Sequence, residues 1–156
     1  IKANMTLLKN KAVLKAGLMA AVLLGTSTHA SAAQSITDRY KAIHATHMQQ
    51  EVELMFDKID EANNFTAGIA QKNGFTFNQA MEVVLVIRSN ITHCWESSFL
   101  SSATPQQIKM VVKAYDTGKT QFVKKKVPLL RQTLEQCTKN TKQYLQAGIN
   151  QIYENY

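Results

Sequence analysis

With 156 residues, the chain has enough sequence for one hydrophobic core and, once an expected leader is set aside, too little for two. Its two cysteines exclude a four-cysteine zinc site, a CxxC redox centre and a c-type haem attachment, because none of these has the residues it needs. The formal charge of +7 is unevenly spread: four of the 18 basic residues precede Asp38, the first of the 11 acids, and most of the rest follow Thr104.

Lys9, Lys11 and Lys15 stand before an apolar run over residues 16–25, and Ala30-Ser31-Ala32 comes after it. An apolar run of about ten residues is half of what a helix needs to cross a bilayer. Basic, apolar and small-residue segments in that order make a secretory signal peptide. The expectation is therefore an over-extended start with Met5 as initiator, a leader over residues 1–32 cleaved after Ala32, and one domain over residues 33–156. The expected location is periplasmic or secreted.

Beyond the leader, Ser35 and Asp38 form a capping pair for a long first helix. Ile36, Tyr40, Ile43, Met48, Val52, Met55, Ile59 and Ala62 recur along it mostly at spacings of three and four, which gives one apolar face. Asn63, Asn64 and Gly74 bound the first loop. A second helix is expected from Thr76-Phe77-Asn78-Gln79, a capping box, through Met81, Val84, Ile91, Trp95 and Phe99. The β-branched run over residues 83–87 alone suits a strand, but the length of the pattern and the cap favour a helix. Thr104-Pro105-Gln106-Gln107 combines an N-cap, a proline at the first helical position and a glutamine at the third, which starts a third helix through Ile108, Val111, Val112 and Tyr115. Either Asp116-Thr117-Gly118-Lys119 or Lys126-Val127-Pro128 can divide the third helix from the fourth; the favoured reading is a turn at Gly118 and a fourth helix from about Thr120, kinked at Pro128. Its stripe is Leu130, Leu134, Cys137, Thr141, Leu145, Gly148 and Ile152.

Two thiols in an exported chain predict one disulfide, Cys94 to Cys137. In an up-down bundle helices two and four are parallel, and a turn at Gly118 rather than Pro128 sets the two cysteines at equal depth. The expected fold is all-α, a single bundle of about four amphipathic helices stapled by that bridge.

No motif names a reaction: the chain has no HExxH, GxSxG, SxxK, P-loop or Rossmann fingerprint. His44, His47, Met48 and Glu51 stand at helical spacings that suit a minimal metal site, yet Met48 belongs to the apolar stripe, and neither a metal nor a cofactor is expected. His93 beside Cys94 points about 100° away from it, and a bridged cysteine is no nucleophile. Asp57, Asp60 and Glu61 are expected on a solvated face. Lys124, Lys125 and Lys126, with Lys119, Arg131 and Phe122 near them, are the densest charge after the leader and the candidate anion-binding residues.

The boxes Thr76 to Gln79 and Thr104 to Gln107 resemble the LTxxQ signature of the CpxP and Spy group of small helical periplasmic chaperones, with Phe75 and Ala103 at the leucine position. That resemblance, confined to the two short boxes, implies a protein that holds unfolded clients. The residues themselves predict a non-enzymatic exported bundle that works by contact with a partner protein of the cell envelope, of inhibitor, immunity or adaptor type. The alternatives are a binder of anionic lipid or polysaccharide headgroups through Lys124, Lys125 and Lys126, a periplasmic chaperone, and a histidine-based metal carrier. Nucleic acid is not an expected partner of an exported chain, and the sequence leaves the oligomeric state open.

Overall fold

Few helix-breaking residues interrupt residues 35–156, the part of the chain that the computed structural model describes, and every regular element there is helical. The expected leader and its cleavage point lie outside the described residues. Helix α1 runs over Ile36–Ile43, widens into a π-helical segment at His44–Met48 and continues over Gln49–Asn63. It is followed by α2 (Phe65–Asn73), α3 (Phe77–Ser102), α4 (Pro105–Asp116), α5 (Val123–Lys126), α6 (Pro128–Thr138) and α7 (Thr141–Asn155). The described residues thus form seven helices rather than about four, and each extra boundary has a local cause. No described helix is long and apolar enough to cross a membrane.

The expected first loop is mostly helix. Asn64 takes the left-handed conformation, φ 50° and ψ 47°, which ends α1, and its N–H donates to the Asp60 carbonyl at 2.8 Å. The Asp60 carboxylate then accepts from the Thr66 N–H at 2.7 Å and from the Thr66 hydroxyl at 2.8 Å, so it starts α2 from the preceding helix. These bonds, the Thr66 N–H first, hold the Asp60 carboxyl below the usual carboxylate range. Asp60 is therefore a cap and not part of a merely solvated face, and Asp57 accepts from Arg88 at 2.7 Å.

The expected fourth helix is divided into three. Proline has no N–H to donate, and the residue before it is driven out of the helical region. Val127, at φ −124° and ψ 79°, accordingly separates α5 from α6. At the next break the hydroxyls of Thr138 and Thr141 donate to the carbonyls of Glu135 and Thr138, at 2.7 Å and 2.6 Å, and compete with helical bonding.

The capping boxes expected at Thr76 and Thr104 are present. In each, the threonine hydroxyl accepts the N–H three residues on and the glutamine amide oxygen accepts the cap N–H, with distances of 2.8–3.2 Å. The helix α3 is the central element. It buries Ala80, Val83, Val84, Ile87, Ile91, Trp95 and Phe99 along one side, and the Trp95 indole N–H donates to the Leu130 carbonyl at 2.8 Å. The Cys94–Cys137 disulfide is formed, with the Cα atoms 5.8 Å apart.

Helix α7 runs antiparallel to α3: Gly148 lies against Val83, and the Tyr153 ring meets the Phe75 ring with centroids 5.4 Å apart. The expected parallel arrangement is thus absent, because the segment from Thr117 to Val127 carries the chain back before α6 begins. On the other side α1 buries Tyr40, His44, Met48, Val52 and Phe56, every fourth residue. In an unbroken α-helix that spacing drifts by about 40° per step, and the wider π turn absorbs part of the drift.

Candidate functional site

The segment that returns the chain also builds a cleft. At the end of α4, Thr117 donates its N–H and its hydroxyl to the Lys113 carbonyl at 3.0 Å and 2.7 Å. Gly118, at φ 70°, turns the chain with a left-handed step that a side chain would strain. The N–H groups of Gly118 and Lys119 go to Tyr115 and Ala114 at 3.3 Å and 2.9 Å, so the carbonyls of Lys113, Ala114 and Tyr115 near the end of α4 are satisfied by the chain itself. Val123 and Val127, both buried, then anchor α5 to the core. Lys124 pairs with Glu51 of α1 and ties the same segment down from its far side.

Between α4 and α5 this leaves a cleft of about 560 Å³. Its apolar lining is Met110, Ala114, Phe122, Val123 and Val127, and its charged lining is Lys113, Lys119 and Lys126. Among the described residues no carboxylate lines it. None of the three lysines belongs to an ion pair among the described residues. Met110 and Phe122 remain 39% and 56% exposed, which is high for side chains of their size and leaves apolar surface wet at the cleft.

Of the anion-binding candidates, Lys119 and Lys126 meet at the cleft, and the other three do not. Lys124 is turned to Glu51, and burial pushes its ammonium pKa down. Lys125 is exposed but outside the lining. Arg131 reaches Glu135 at 3.6 Å along α6. Lys113 was missed because it precedes the dense run, although a lysine in the last turn of a helix that ends at Gly118 could have pointed to it.

The suggested metal residues do not converge. His44 and Met48 are buried, the His47 ring packs on Tyr115 at 4.9 Å, and Glu51 is taken by Lys124. No group of three or more histidine, cysteine or acidic side chains suited to a metal occurs among the described residues. His44 is instead locked in place. Its Nε2–H donates to the Thr92 carbonyl at 2.7 Å, which leaves Nδ1 to accept from the Tyr40 hydroxyl at 3.1 Å, and its ring meets Trp95 edge-on at 5.3 Å. Burial pushes the His44 pKa down. His93 is exposed, and its neighbour Cys94 is bridged.

A second surface feature lies on α3, where Phe77, Met81 and Leu85 repeat at four-residue spacing and are 57%, 46% and 57% exposed. No protein-family model, curated protein or solved structure matches the chain.

Proposed function

We propose that this is a non-enzymatic, exported binding protein of the cell envelope that recognises an anionic group at the cleft between α4 and α5. The observation that carries the reading is the meeting of Lys113, Lys119 and Lys126 at one concave site with no carboxylate in its lining. Like charges held together without a partner raise the local potential and attract an anion. Support for a non-enzymatic role comes from the bonding of Cys94 and His44: the thiol is bridged and the imidazole has both nitrogens engaged.

Binding to phosphatidylglycerol vesicles, followed as salt is raised, tests the reading. Each lysine near an anionic surface contributes about 1 kcal/mol, so Lys113→Gln, Lys119→Gln and Lys126→Gln together should weaken binding by roughly a hundredfold. The paired control Lys125→Gln with Arg131→Gln should cost much less per charge removed. Equal loss per charge in both variants would reduce the effect to diffuse attraction and count against the site.

A second reading, contact with a partner protein, is favoured by the exposed stripe of Phe77, Met81 and Leu85. Apolar anchors at such spacing suit an amphipathic helix laid alongside α3. Site-specific cross-linking from Leu85 in cells would give one stoichiometric product if this surface is the working one.

A further inference from the structure

The anion reading leaves open what the rest of the ligand is, and the lining of the cleft answers in part. We infer that the site takes a monomeric single-chain amphiphile, with its anionic head among Lys113, Lys119 and Lys126 and its hydrocarbon chain along the floor. This rests on the reading of the cleft as an anion site.

Three observations carry the inference. A site for a bare anion needs charge and hydrogen-bond donors, whereas this one is floored by Val123, Val127 and Ala114 with Met110 and Phe122 beside them. Those last two keep apolar surface in water that a hydrocarbon chain would cover. The volume of about 560 Å³ is that of a site for a small organic molecule. The lysines suit the head because their flexible stems lie along apolar surface while the ammonium stays in water. Three of the last four carbonyls of α4, those of Lys113, Ala114 and Tyr115, which would repel an anion, already accept bonds from Thr117, Gly118 and Lys119. A planar bilayer surface would meet only the rim of such a concave site, so a lipid monomer suits the floor better than a membrane does.

The test is titration of the purified protein with acetate, octanoate, decanoate and dodecanoate below their micellar concentrations, with dodecyl maltoside and dodecyltrimethylammonium as controls for the head. Affinity for the carboxylates should rise about fourfold for each methylene that the cleft covers. Phe122→Ser, at an exposed position, should flatten that rise while far-UV circular dichroism stays unchanged. The triple lysine variant should weaken the long carboxylates tenfold or more and leave the neutral detergent unaffected. Vesicle binding through the lysines with no dependence on chain length would overturn the inference and leave the anion reading standing. Absence of binding to both vesicles and carboxylates would end both. Equal affinity for the cationic or neutral dodecyl compound would make the cleft a generic apolar surface and also overturn the inference.

Discussion

His44 is the residue whose surroundings most constrain its chemistry. It is 1% exposed, with one nitrogen bonded to a carbonyl and the other to a phenol, and its pKa is lowered chiefly by burial. The Thr92 bond and the charge of Glu96 oppose that shift, and His93 adds to it. The sign for stability follows. A histidine in the unfolded chain takes up a proton near pH 6.5, while native His44 refuses it until the pH is lower. Stability should therefore be level above about pH 7 and fall as the pH drops below 6.5, by up to ~1.4 kcal/mol per pH unit from this one group. Urea unfolding between pH 8 and 5 measures this, and in His44→Gln that part of the fall should vanish. A wild-type curve that is flat down to pH 5 would mean that the buried ring accepts its proton at no cost.

At the scale of elements, two glycines inside helices have opposite expectations. A Cβ at Gly148 would lie 2.9 Å from Val83 Cγ1 and 3.2 Å from the Val83 carbonyl oxygen, and Val83 is fully buried and stiff at χ1. Gly148→Ala gains about 1 kcal/mol of helix propensity but forces α7 away from α3, at a cost of about 1–3 kcal/mol. The net change should be destabilising. A Cβ at Gly68, in the middle of α2, meets nothing within 4 Å, so Gly68→Ala should stabilise by up to about 1 kcal/mol. Thermal midpoints moving in opposite directions would bear out both. The helix boundaries were legible where the signal is local: the boxes at Thr76 and Thr104 and the glycine at 118 are each contained in a few adjacent residues. The start of α2 was not, because its cap is a carboxylate reaching forward from the helix before it. The π segment left one trace, the five-residue step from Ile43 to Met48 in an apolar stripe otherwise spaced at three and four, and a single long step reads equally as a local break in the pattern. At the cleft the density of lysines was legible but its division was not. Only the folded chain brings Glu51 to Lys124 and Lys113 to Lys126.

For the whole molecule the disulfide is the main covalent constraint. The cysteines are 43 residues apart, and closing a loop of that size restricts the unfolded chain by roughly 4 kcal/mol in the chain-entropy view. That is a large share of the ~5–15 kcal/mol typical of a domain. Cys94→Ala with Cys137→Ala should lower the urea midpoint steeply and leave helical content intact in the cold. An unchanged midpoint would show that the unfolded chain is already held compact by other means. The bridge also encloses α4, the turn at Gly118 and α5, so every described residue that lines the cleft lies within the covalent loop. A protease that cuts once after one of the exposed lysines in that loop therefore releases nothing: the two pieces stay joined through sulfur and migrate as one species until a reductant parts them. The cleft is thus on a tether fastened at both ends, and a protein nicked there keeps its parts at hand for re-forming it.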